Sequence, residues 1–451
     1  MTKRKQNKQN NKKRKNKDKK RKRTQMKNDK STINVAVLGY GTVGSAVCEA
    51  LLANQSLIKA RCGKAIKPVI ALARTPKPKA QIPVTTKASE ILERDDIDIF
   101  VELMGGVDAP FEIVREILAK NKPVVSANKA MLAYHRYELQ ELAQNTFFGY
   151  EASVAGGLPI IKVLKEGLCA NGVGRIYGIL NGTSNYILSS MSADGTSFDE
   201  ALKVAQSLGY AEADPTFDIE GLDAAHKLLI LSSLAFDLRA KPQDILTEGI
   251  TEISAEDMYF ASEFDFVIKL LGIAKAKGDK VELRVHPVMI DKGKMLAKVS
   301  GVMNAVSVVG DLLGESLYYG AGAGGKATAS AVIADLMDYA RAQSAKGAML
   351  GFLNEPNFTL VPKADIYTKY YLRLKVEDKI GVLSKITQLM SEAGISVDSF
   401  LQKPKASKAI STIYFTTHHS FERQIQALLS ELARQDFVKE KPFMMRIEQW
   451  D

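Results

Sequence analysis

The stretch Ile33-Asn34-Val35-Ala36-Val37-Leu38-Gly39-Tyr40-Gly41-Thr42-Val43-Gly44 decides the fold class that the sequence predicts. Its first half is a short apolar run rich in β-branched residues, which is typical of a buried strand. The second half has the spacing G-x-G-x-x-G and leads into a helical pattern that continues to about Asn54. Here Gly39 allows a tight turn, Gly41 lets the backbone approach a pyrophosphate, and Gly44 lets the helix pack closely. The sequence therefore predicts a dinucleotide site, and a glycine turn without a ligand is the alternative.

Further strands are predicted to end in loops that could contact the same ligand. Residues 98–103 lead into Met104-Gly105-Gly106, and residues 122–126 lead into Ala127-Asn128-Lys129. Because helical patterns alternate with the strands to about residue 150, we expect a doubly wound parallel sheet of the Rossmann type. Ligands of such sheets bind beyond the carboxyl ends of the strands, where Gly105 and Lys129 fall.

Arg74 follows the strand predicted at residues 68–73. An NAD-specific site usually carries an acidic residue at this position, which binds the ribose 2′-hydroxyl group. A cation there, with Lys77 and Lys79 close behind, favours a cofactor with a 2′-phosphate. We therefore predict that NADP is accepted and that NAD is possible, while a charged loop without a ligand is the alternative.

Composition restricts the class of protein. The formal net charge of +11 comes from residues 1–30, which hold 16 Lys or Arg and two acidic residues. That tract is predicted to be disordered and to bind nucleic acid only non-specifically, if at all, and it could also be an extension ahead of a start at Met26. The remaining 46 Lys or Arg and 49 Asp or Glu make residues 31–451 slightly acidic. No apolar run reaches the roughly 18 residues of a membrane span, and three scattered cysteines favour a reducing, cytoplasmic location.

A second informative stretch, residues 208–227, contains Glu212, Asp214, Asp218, Asp223 and Lys227. These four carboxylates and the one lysine could converge on a single point. Residues 219–239 are predicted to form a helix, in which Asp223 and Lys227 lie one turn apart on one face. A lysine among carboxylates stays protonated at neutral pH and could donate a proton to an oxygen that gains negative charge. The alternative is a solvent-exposed ion pair, worth only about 0.3–0.5 kcal/mol.

Two glycine-containing loops are candidate binding loops. Residues 151–159, EASVAGGLP, expose backbone carbonyls beside the Glu151 carboxylate and could hold a hard cation, although a plain turn is the alternative. Residues 320–325, GAGAGG, precede a helix predicted from 328 to 342 and could close over the cofactor, unless they are a linker. Strands predicted at 281–285 and 296–299 indicate a mixed sheet that could also pair subunits.

The C-terminal region has the element order of a small ferredoxin-like domain. Residues 354–369 are rich in proline and asparagine and are predicted to be a linker. After them the patterns predict strand, helix, strand, strand, helix and strand between residues 370 and 449. Gly381 lies in the loop between the first strand and the first helix, where it would let a small ligand approach the backbone.

From Ile33 to Trp450 the chain resembles homoserine dehydrogenases. Besides GYGTVG, the motifs that carry the resemblance are SANKA at 126–130, EASVAGGLPI at 151–160, NGTSNYIL at 181–188, LGYAEADPTFDIEGLDAAHK at 208–227 and GAGAGGKATAS at 320–330. The C-terminal unit resembles an ACT domain, and only the basic tail has no counterpart. The resemblance implies reversible, NAD(P)H-dependent reduction of L-aspartate 4-semialdehyde to L-homoserine, on the route to threonine and methionine.

The resemblance also implies roles for individual residues. Lys227 would donate a proton to the substrate carbonyl oxygen, and Lys129 would assist near cofactor and substrate. The substrate pocket would be formed by Glu212, Asp223, Asp214 and Asp218, and the cofactor would contact Gly39, Tyr40, Gly41, Thr42, Val43, Gly44, Arg74, Gly105, Lys129, Gly209 and Gly324. A sodium ion would be held at Glu151, Val154, Gly156 and Leu158, and threonine, as a feedback inhibitor, would contact Gly381, Ile395 and Ser396.

The predicted organisation has five parts. These are a basic tail (1–30), a Rossmann domain (31–150, completed by a helix at about 324–345), an α+β substrate-binding and dimerisation domain (151–323), a linker (346–369) and an ACT domain (370–451). A homodimer or homotetramer is expected. Two other functions stay open, namely another amino-acid dehydrogenase on the same scaffold and a non-catalytic nicotinamide sensor with a nucleic-acid-binding tail.

Overall fold

The computed structural model describes residues 31–341, 358–402 and 410–449. The predictions for residues 1–30 and for 342–357 lie outside these ranges. In them the strands are β1 (Thr32–Leu38), β2 (Ala65–Leu72), β3 (Val84–Thr85), β4 (Ile99–Glu102), β5 (Val124–Ser126), β6 (Phe148–Gly149), β7 (Val173–Ile179), β8 (Leu246–Thr247), β9 (Phe266–Lys277), β10 (Lys280–Asp291), β11 (Met303–Gly310), β12 (Gly314–Ala321), β13 (Thr359–Leu360), β14 (Tyr367–Glu377), β15 (Val397–Gln402), β16 (Ile410–Thr417), β17 (Ser420–Phe421) and β18 (Phe443–Ile447).

The helices of the same ranges are numbered in the same way. They are α1 (Thr42–Ala53), α2 (Gln55–Cys62), α3 (Ser89–Leu92), α4 (Asp108–Ala119), α5 (Lys129–Leu142), α6 (Ile160–Lys162), α7 (Gly182–Asp194), α8 (Phe198–Ser207), α9 (Thr216–Ile219), α10 (Leu222–Phe236), α11 (Ala255–Glu263), α12 (Gly325–Arg341), α13 (Val382–Glu392) and α14 (Glu422–Leu432). None of these helices is long and apolar enough to cross a bilayer.

The first of two compact units contains residues 31–131, 135–152 and 324–341 of the described ranges. Its six strands are all parallel, in the order β3-β2-β1-β4-β5-β6. This is the strand order of a doubly wound nucleotide-binding sheet, so the predicted Rossmann-type sheet is confirmed. Helix α12 packs its Val332 and Leu336 into the same core as Val37, Val47 and Val101.

The second unit contains residues 132–134, 153–323 and 358–449 of the described ranges. One mixed sheet runs through it in the order β12-β11-β7-β9-β10-β18-β14-β16-β15, and β8 and β13 also pair with β10. The predicted mixed sheet is therefore confirmed, but the strand predicted at 296–299 is wrong. That segment is mainly a 3₁₀ turn, Met295–Lys298, which leads into β11.

The predicted helix 219–239 is also wrong in its extent. A short helix ends at Ile219, Gly221 has φ +78°, and α10 then begins at Leu222. A left-handed residue breaks the helical backbone, and glycine adopts that conformation with little strain. At Gly221 a Cβ atom would also lie 3.2 Å from Val285 and 3.3 Å from the carbonyl oxygen of Glu248. The break lets a new helix, α10, begin at Leu222, one residue before Asp223.

The C-terminal domain has the predicted βαββαβ order in β14, α13, β15, β16, α14 and β18. Its core includes Leu372, Ile386, Phe415 and Ile425. Its sheet is continuous with the rest of the second unit, because β18 pairs in parallel with β10. Residues 358–369 do not form a free linker, since β13 pairs with β10 and Ile366 is buried.

Candidate active site

The predicted dinucleotide loop forms the turn between β1 and α1. Gly39 has φ +109°, and a Cβ atom there would lie 2.6 Å from the carbonyl oxygen of Leu103. At Gly44 a Cβ atom would overlap the carbonyl oxygen of Gly39, so only glycine allows this approach of helix to strand. The space beside Gly41 is open to 4 Å, and Gly41 offers no side chain to cap α1. The backbone N–H groups that follow Tyr40 at the start of α1, among them those of Thr42 and Val43, can therefore bind an anion.

Arg74 lies just beyond the carboxyl end of β2, on the surface of the first unit. The glycine turn is tethered to that strand end, because the backbone N–H groups of Gly39 and Tyr40 both donate to the carbonyl oxygen of Leu72, at 3.1 and 2.9 Å. Arg74 thus lies two residues after Leu72, the residue to which the glycine turn is hydrogen-bonded. Such a place suits a cation that binds a phosphate of the same ligand.

Asn128 joins the ends of β4 and β5. Its Nδ2 donates to the carbonyl oxygens of Met104 (3.2 Å) and Gly106 (2.9 Å), while its Oδ1 caps α5. The loop that contains Gly105 is thereby fixed against the first turn of the helix that begins at Lys129. These two predicted residues lie at neighbouring strand ends, as expected from a parallel sheet.

Glu102, the last residue of β4, is fully buried beneath this loop and was not predicted from the sequence. It accepts hydrogen bonds from Ser126 Oγ (2.5 Å), from the backbone N–H of Met104 (2.8 Å) and from Asn128 Nδ2 (3.4 Å). Burial raises the pKa of Glu102 to about 7, although these hydrogen bonds oppose the shift. A charged residue at the end of a short apolar run resembles an exposed strand end, so the sequence gives no signal for it.

Lys227 and Asp223 form a buried ion pair on α10. The Nζ atom of Lys227 lies 2.7 Å from Oδ2 of Asp223 and 2.7 Å from the carbonyl oxygen of Leu180. Their exposed fractions are 8% and 2%, so the alternative of a solvent-exposed pair is wrong. Two charges are costly to bury unless they are paired and hydrogen-bonded, which is the case here.

Asn181 connects this pair to a second carboxylate. Its Nδ2 donates to Oδ2 of Asp223 at 2.8 Å and to Oδ1 of Asp218 at 2.7 Å. Its Oδ1 accepts from the backbone N–H of Ser184 and so caps α7. The sequence motif beginning at Asn181 contributed to the family resemblance, and an asparagine before a helix is typical of a cap, but neither signal revealed the bridge between the two aspartates.

The other two predicted carboxylates, Glu212 and Asp214, are not part of this hydrogen-bonded cluster. Asp214 is exposed, and its Oδ1 accepts from the backbone N–H (3.1 Å) and Oγ1 (2.6 Å) of Thr216, which lowers the pKa of Asp214. Glu212 is also exposed, and Gly209, with φ +73°, lies in the turn that precedes it. The hydrogen-bonded cluster therefore contains two of the four predicted carboxylates, Asp218 and Asp223, while a local turn binds the Asp214 carboxylate.

The predicted cation loop is a tight turn. Ala155 and Gly156 have successive φ values of +52° and +46°, and a Cβ atom at Gly156 would lie 2.5 Å from the carbonyl oxygen of Gly322. Val154 and Leu158 are buried in the same turn. Among the described residues no group of three or more His, Cys, Asp or Glu side chains is arranged to hold a metal. Backbone carbonyls are therefore the ligands that this turn offers to a cation.

Two further predicted residues flank these loops in the chain. Glu151 is buried in the first unit, where its backbone N–H donates to Oδ2 of Asp335 at 2.9 Å. Gly324 has φ +106°, directly precedes α12 and has open space where a Cβ atom would lie. Such a glycine is compatible with a ligand that approaches the backbone.

The predicted effector residues do not lie together within one chain. Gly381 has φ +86° and stands at the N-terminus of α13, while Ile395 and Ser396 follow its C-terminus. The helix has 11 residues, so its ends are separated by about 16 Å at 1.5 Å per residue. A single small ligand cannot contact both ends, and sequence proximity to one helix did not reveal this separation.

The site residues thus give two chemical capabilities. The first unit offers a glycine turn and a free helix N-terminus to an anionic dinucleotide. The second unit offers a buried ammonium group, at Lys227, among the carboxylates of Asp218 and Asp223. An ammonium group can supply a proton to an oxygen that gains negative charge, and carboxylates can bind a cationic substrate group.

Three family models match the chain. They are the homoserine dehydrogenase model at residues 159–337, the homoserine dehydrogenase NAD binding domain at 39–149, and the ACT domain at 370–437. The homoserine dehydrogenase of Helicobacter pylori is 51% identical over 421 residues, which are 93% of this chain and 100% of that protein. The chain belongs to the homoserine dehydrogenase family.

Other homoserine dehydrogenases agree with this assignment. The protein of Neisseria gonorrhoeae is 41% identical over 429 residues and covers 92% of this chain and 98% of its own length. The crystal structure of a homoserine dehydrogenase from Thiobacillus denitrificans has a TM-score of 0.85 and 41% identity, and the match covers 92% of this chain and 98% of that chain. A crystal structure of S. aureus homoserine dehydrogenase at pH 7.5 has a TM-score of 0.72 and 32% identity, and the match covers 93% of this chain and 99% of that chain. The predicted family and fold class are confirmed.

Proposed function

We propose that the protein catalyses the reversible, nicotinamide-dependent reduction of L-aspartate 4-semialdehyde to L-homoserine. The observation that carries the proposal is the buried cluster of Lys227, Asp223, Asn181 and Asp218. The substrate carries an ammonium group, which requires carboxylates, and its aldehyde oxygen becomes an alkoxide that requires a proton. Membership of the homoserine dehydrogenase family supports the same substrate.

In this mechanism each side chain has one task. Asp223 and Asp218 bind the amino-acid part of the substrate together with Glu212, and Lys227 donates the proton to the carbonyl oxygen. The nicotinamide, when bound, supplies the hydride. Lys129, at the start of α5, assists at the cofactor side. General acid catalysis by the lysine contributes about 10²–10⁴-fold, and placement of the reactants contributes the rest.

Substitution of Lys227 tests the proposal. Lys227→Ala and Lys227→Arg should lose homoserine-dependent reduction of the cofactor while they still bind the cofactor, which fluorescence titration measures. The arginine variant keeps a positive charge near Asp223 and so guards against simple loss of the fold. Lys203→Ala, at an exposed site on α8, is the matched control. Normal turnover by both Lys227 variants contradicts the assigned role.

NADP is the preferred cofactor in this proposal, and NAD is the weaker one. Exposed Arg74 lies at the position where an acidic residue would select NAD, and it can bind a 2′-phosphate. The cofactor assay that decides this is homoserine-dependent reduction of NADP compared with NAD. A higher kcat/KM with NAD contradicts the preference.

A sodium ion is proposed at Val154, Gly156 and Leu158, with Glu151 nearby in the sequence. Ala155 and Gly156 both have left-handed φ values, which change the direction of the carbonyl groups in this buried loop. Such carbonyl oxygens are suitable ligands, because hard cations prefer oxygen. The melting temperature should rise more in sodium chloride than in potassium or choline chloride of equal ionic strength. Equal melting temperatures in the three salts contradict sodium binding.

Feedback inhibition by threonine and a homo-oligomeric state complete the proposal. Gly381 is the proposed effector contact, and a site that also uses Ile395 and Ser396 requires two ACT domains, because these residues lie at opposite ends of α13. The edge strand β12 supports subunit pairing, since Leu312, Leu313 and Tyr319 are exposed on or beside it. Activity with added threonine tests the first point, and sedimentation velocity tests the second.

A further inference from the structure

Asn304 lies one hydrogen bond away from Lys227. It stands at the start of β11, and its side chain is almost fully buried. The Nδ2 atom of Asn304 donates to the carbonyl oxygen of Leu180 at 3.0 Å, and the same oxygen accepts from Lys227 Nζ at 2.7 Å. One carbonyl group therefore connects the asparagine to the ammonium group.

The backbone and a neighbouring glycine hold Asn304 in place. In the sheet Asn304 is the register partner of Gly320 on β12, and the next residue, Ala305, is the partner of Ile179 on β7. A Cβ atom at Gly322 would overlap the amide group of Asn304, so the amide fills the space that this glycine leaves. The backbone position of Asn304 is thus set by both neighbouring strands, and its amide group packs against Gly322.

The amide of Asn304 is incompletely satisfied. In the described part of the chain its Oδ1 atom is buried and has no hydrogen-bond partner. A buried acceptor without a partner in the protein costs free energy unless a water molecule or a ligand donates to it. The bond from Nδ2 to the Leu180 carbonyl is the interaction that the side chain does make.

We propose that Asn304 is a positioning residue for the reaction, which fixes the Leu180 carbonyl and through it the ammonium group of Lys227. The inference rests on the proton-donor role proposed for Lys227. Two anchors then define the direction of Nζ, namely the Asp223 carboxylate and the oriented carbonyl. Without Asn304 the peptide group between Leu180 and Asn181 can rotate, and the ammonium group follows it away from the reacting oxygen.

The proposal is tested with Asn304→Ala and Asn304→Asp, and with Ser307→Ala as the matched control. The aspartate has the same shape but, when ionised, no hydrogen to donate. Ser307 is a buried polar residue on the same strand, and its Oγ donates to Glu315 rather than towards Leu180. We expect kcat for homoserine oxidation to fall about 10- to 100-fold in both Asn304 variants, because a misplacement of about 1 Å has this effect.

Further readouts separate positioning from a structural role. The KM values for homoserine and cofactor should stay within about twofold, and the solvent deuterium isotope effect on kcat should increase as proton transfer becomes limiting. Full kcat in Asn304→Asp, or loss of thermal stability alone in Asn304→Ala, overturns the proposal.

An activity-independent measurement distinguishes this proposal from the proposed function. Backbone hydrogen–deuterium exchange in residues 179–185 should accelerate in both Asn304 variants and not in Ser307→Ala. If exchange is unchanged, the anchoring of Leu180 is refuted whatever the enzyme does. If exchange accelerates but neither Lys227→Ala nor Lys227→Arg alters turnover, the proton-donor role fails and the catalytic part of this inference fails with it.

Discussion

Arg446 and Glu248 share two hydrogen bonds, of 2.7 and 3.0 Å, which join the last strand of the ACT domain to the residue after β8. The guanidinium group is fully buried and also binds both carboxylate oxygens of Glu422 on α14. The carbonyl oxygen of Glu248 lies against Gly221, which precedes the helix of Asp223 and Lys227. A continuous set of contacts thus leads from an ACT helix to the proposed catalytic helix.

Glu248→Gln should weaken the proposed inhibition by threonine while it leaves kcat without threonine unchanged. The amide keeps the shape of the carboxylate but removes the charge that Arg446 binds across the two domains. We expect the threonine concentration for half-inhibition to rise at least about fivefold, the low end of typical coupling between sites. The control is Glu282→Gln, which changes a carboxylate that binds Arg284 within β10. A response to threonine equal to that of the wild type contradicts the prediction.

Asn181→Ala should raise the KM for homoserine about tenfold, because the two aspartates lose the amide that aligns them. The KM for the cofactor should not change. Asn185→Ala is a matched control, since Asn185 is a buried asparagine of the same motif that instead donates to the carbonyl oxygens of Val299 and Gly301. Steady-state kinetics with each substrate varied provides the measurement, and equal effects of the two variants refute a specific role.

Arg74→Ala should raise the KM for NADP by about 10-fold or more and leave the KM for NAD almost unchanged. A hydrogen bond between a guanidinium and a phosphate is worth roughly 1.5–3 kcal/mol, and only NADP has the 2′-phosphate. Lys59→Ala removes another exposed cation of the same unit and controls for net charge. An equal loss of affinity for both cofactors shows that Arg74 does not read the 2′-position.

Glu102→Gln should stabilise the first unit at pH 8 and have little effect at pH 5. Burial raises the pKa of Glu102 to about 7 from an ordinary value of 4.5. Between these values the unfolded chain releases the proton and the folded chain keeps it, so the free energy of unfolding falls as pH rises. The fall amounts to about 3 kcal/mol by pH 8, and the amide variant lacks it.

The difference in the free energy of unfolding between the wild type and Glu102→Gln should therefore grow from pH 5 to pH 8. Denaturant unfolding followed by circular dichroism measures it. Glu116→Gln, at an exposed site on α4, provides the control. If the two stability curves run parallel over this range, Glu102 is ionised in the folded protein and its surroundings compensate the charge.

The sequence predicted the first sheet well, because its signals are local. A buried strand that leads into GYGTVG, and helical patterns between the following strands, are sufficient for the parallel order. The break at Gly221 was missed because apolar spacing continues across it, and the contact of Gly221 with Val285 is set by a distant strand. The 3₁₀ turn at Met295–Lys298 was missed for a different reason, because four residues show too little periodicity to distinguish such a turn from a strand.

The spacing on one helix predicted the proposed catalytic pair, Asp223 and Lys227, but it did not predict that the pair is buried. Burial depends on Leu180 and Asn181, which approach α10 from residues about 40 positions earlier in the chain. Asn304 gave no signal, because an asparagine at the start of a strand pattern usually indicates only a turn. Long-range hydrogen bonds of this kind need the tertiary structure.

The pairing of β10 with β18 has a consequence for engineering of the enzyme. A shortened enzyme that ends before β14 would expose the backbone N–H and C=O groups of β10 around Val288 and Met289. Unprotected strand edges recruit other chains and lead to aggregates. A catalyst released from the proposed feedback inhibition is therefore better obtained by point substitutions in the intact polypeptide than by genetic deletion of its last eighty residues or so.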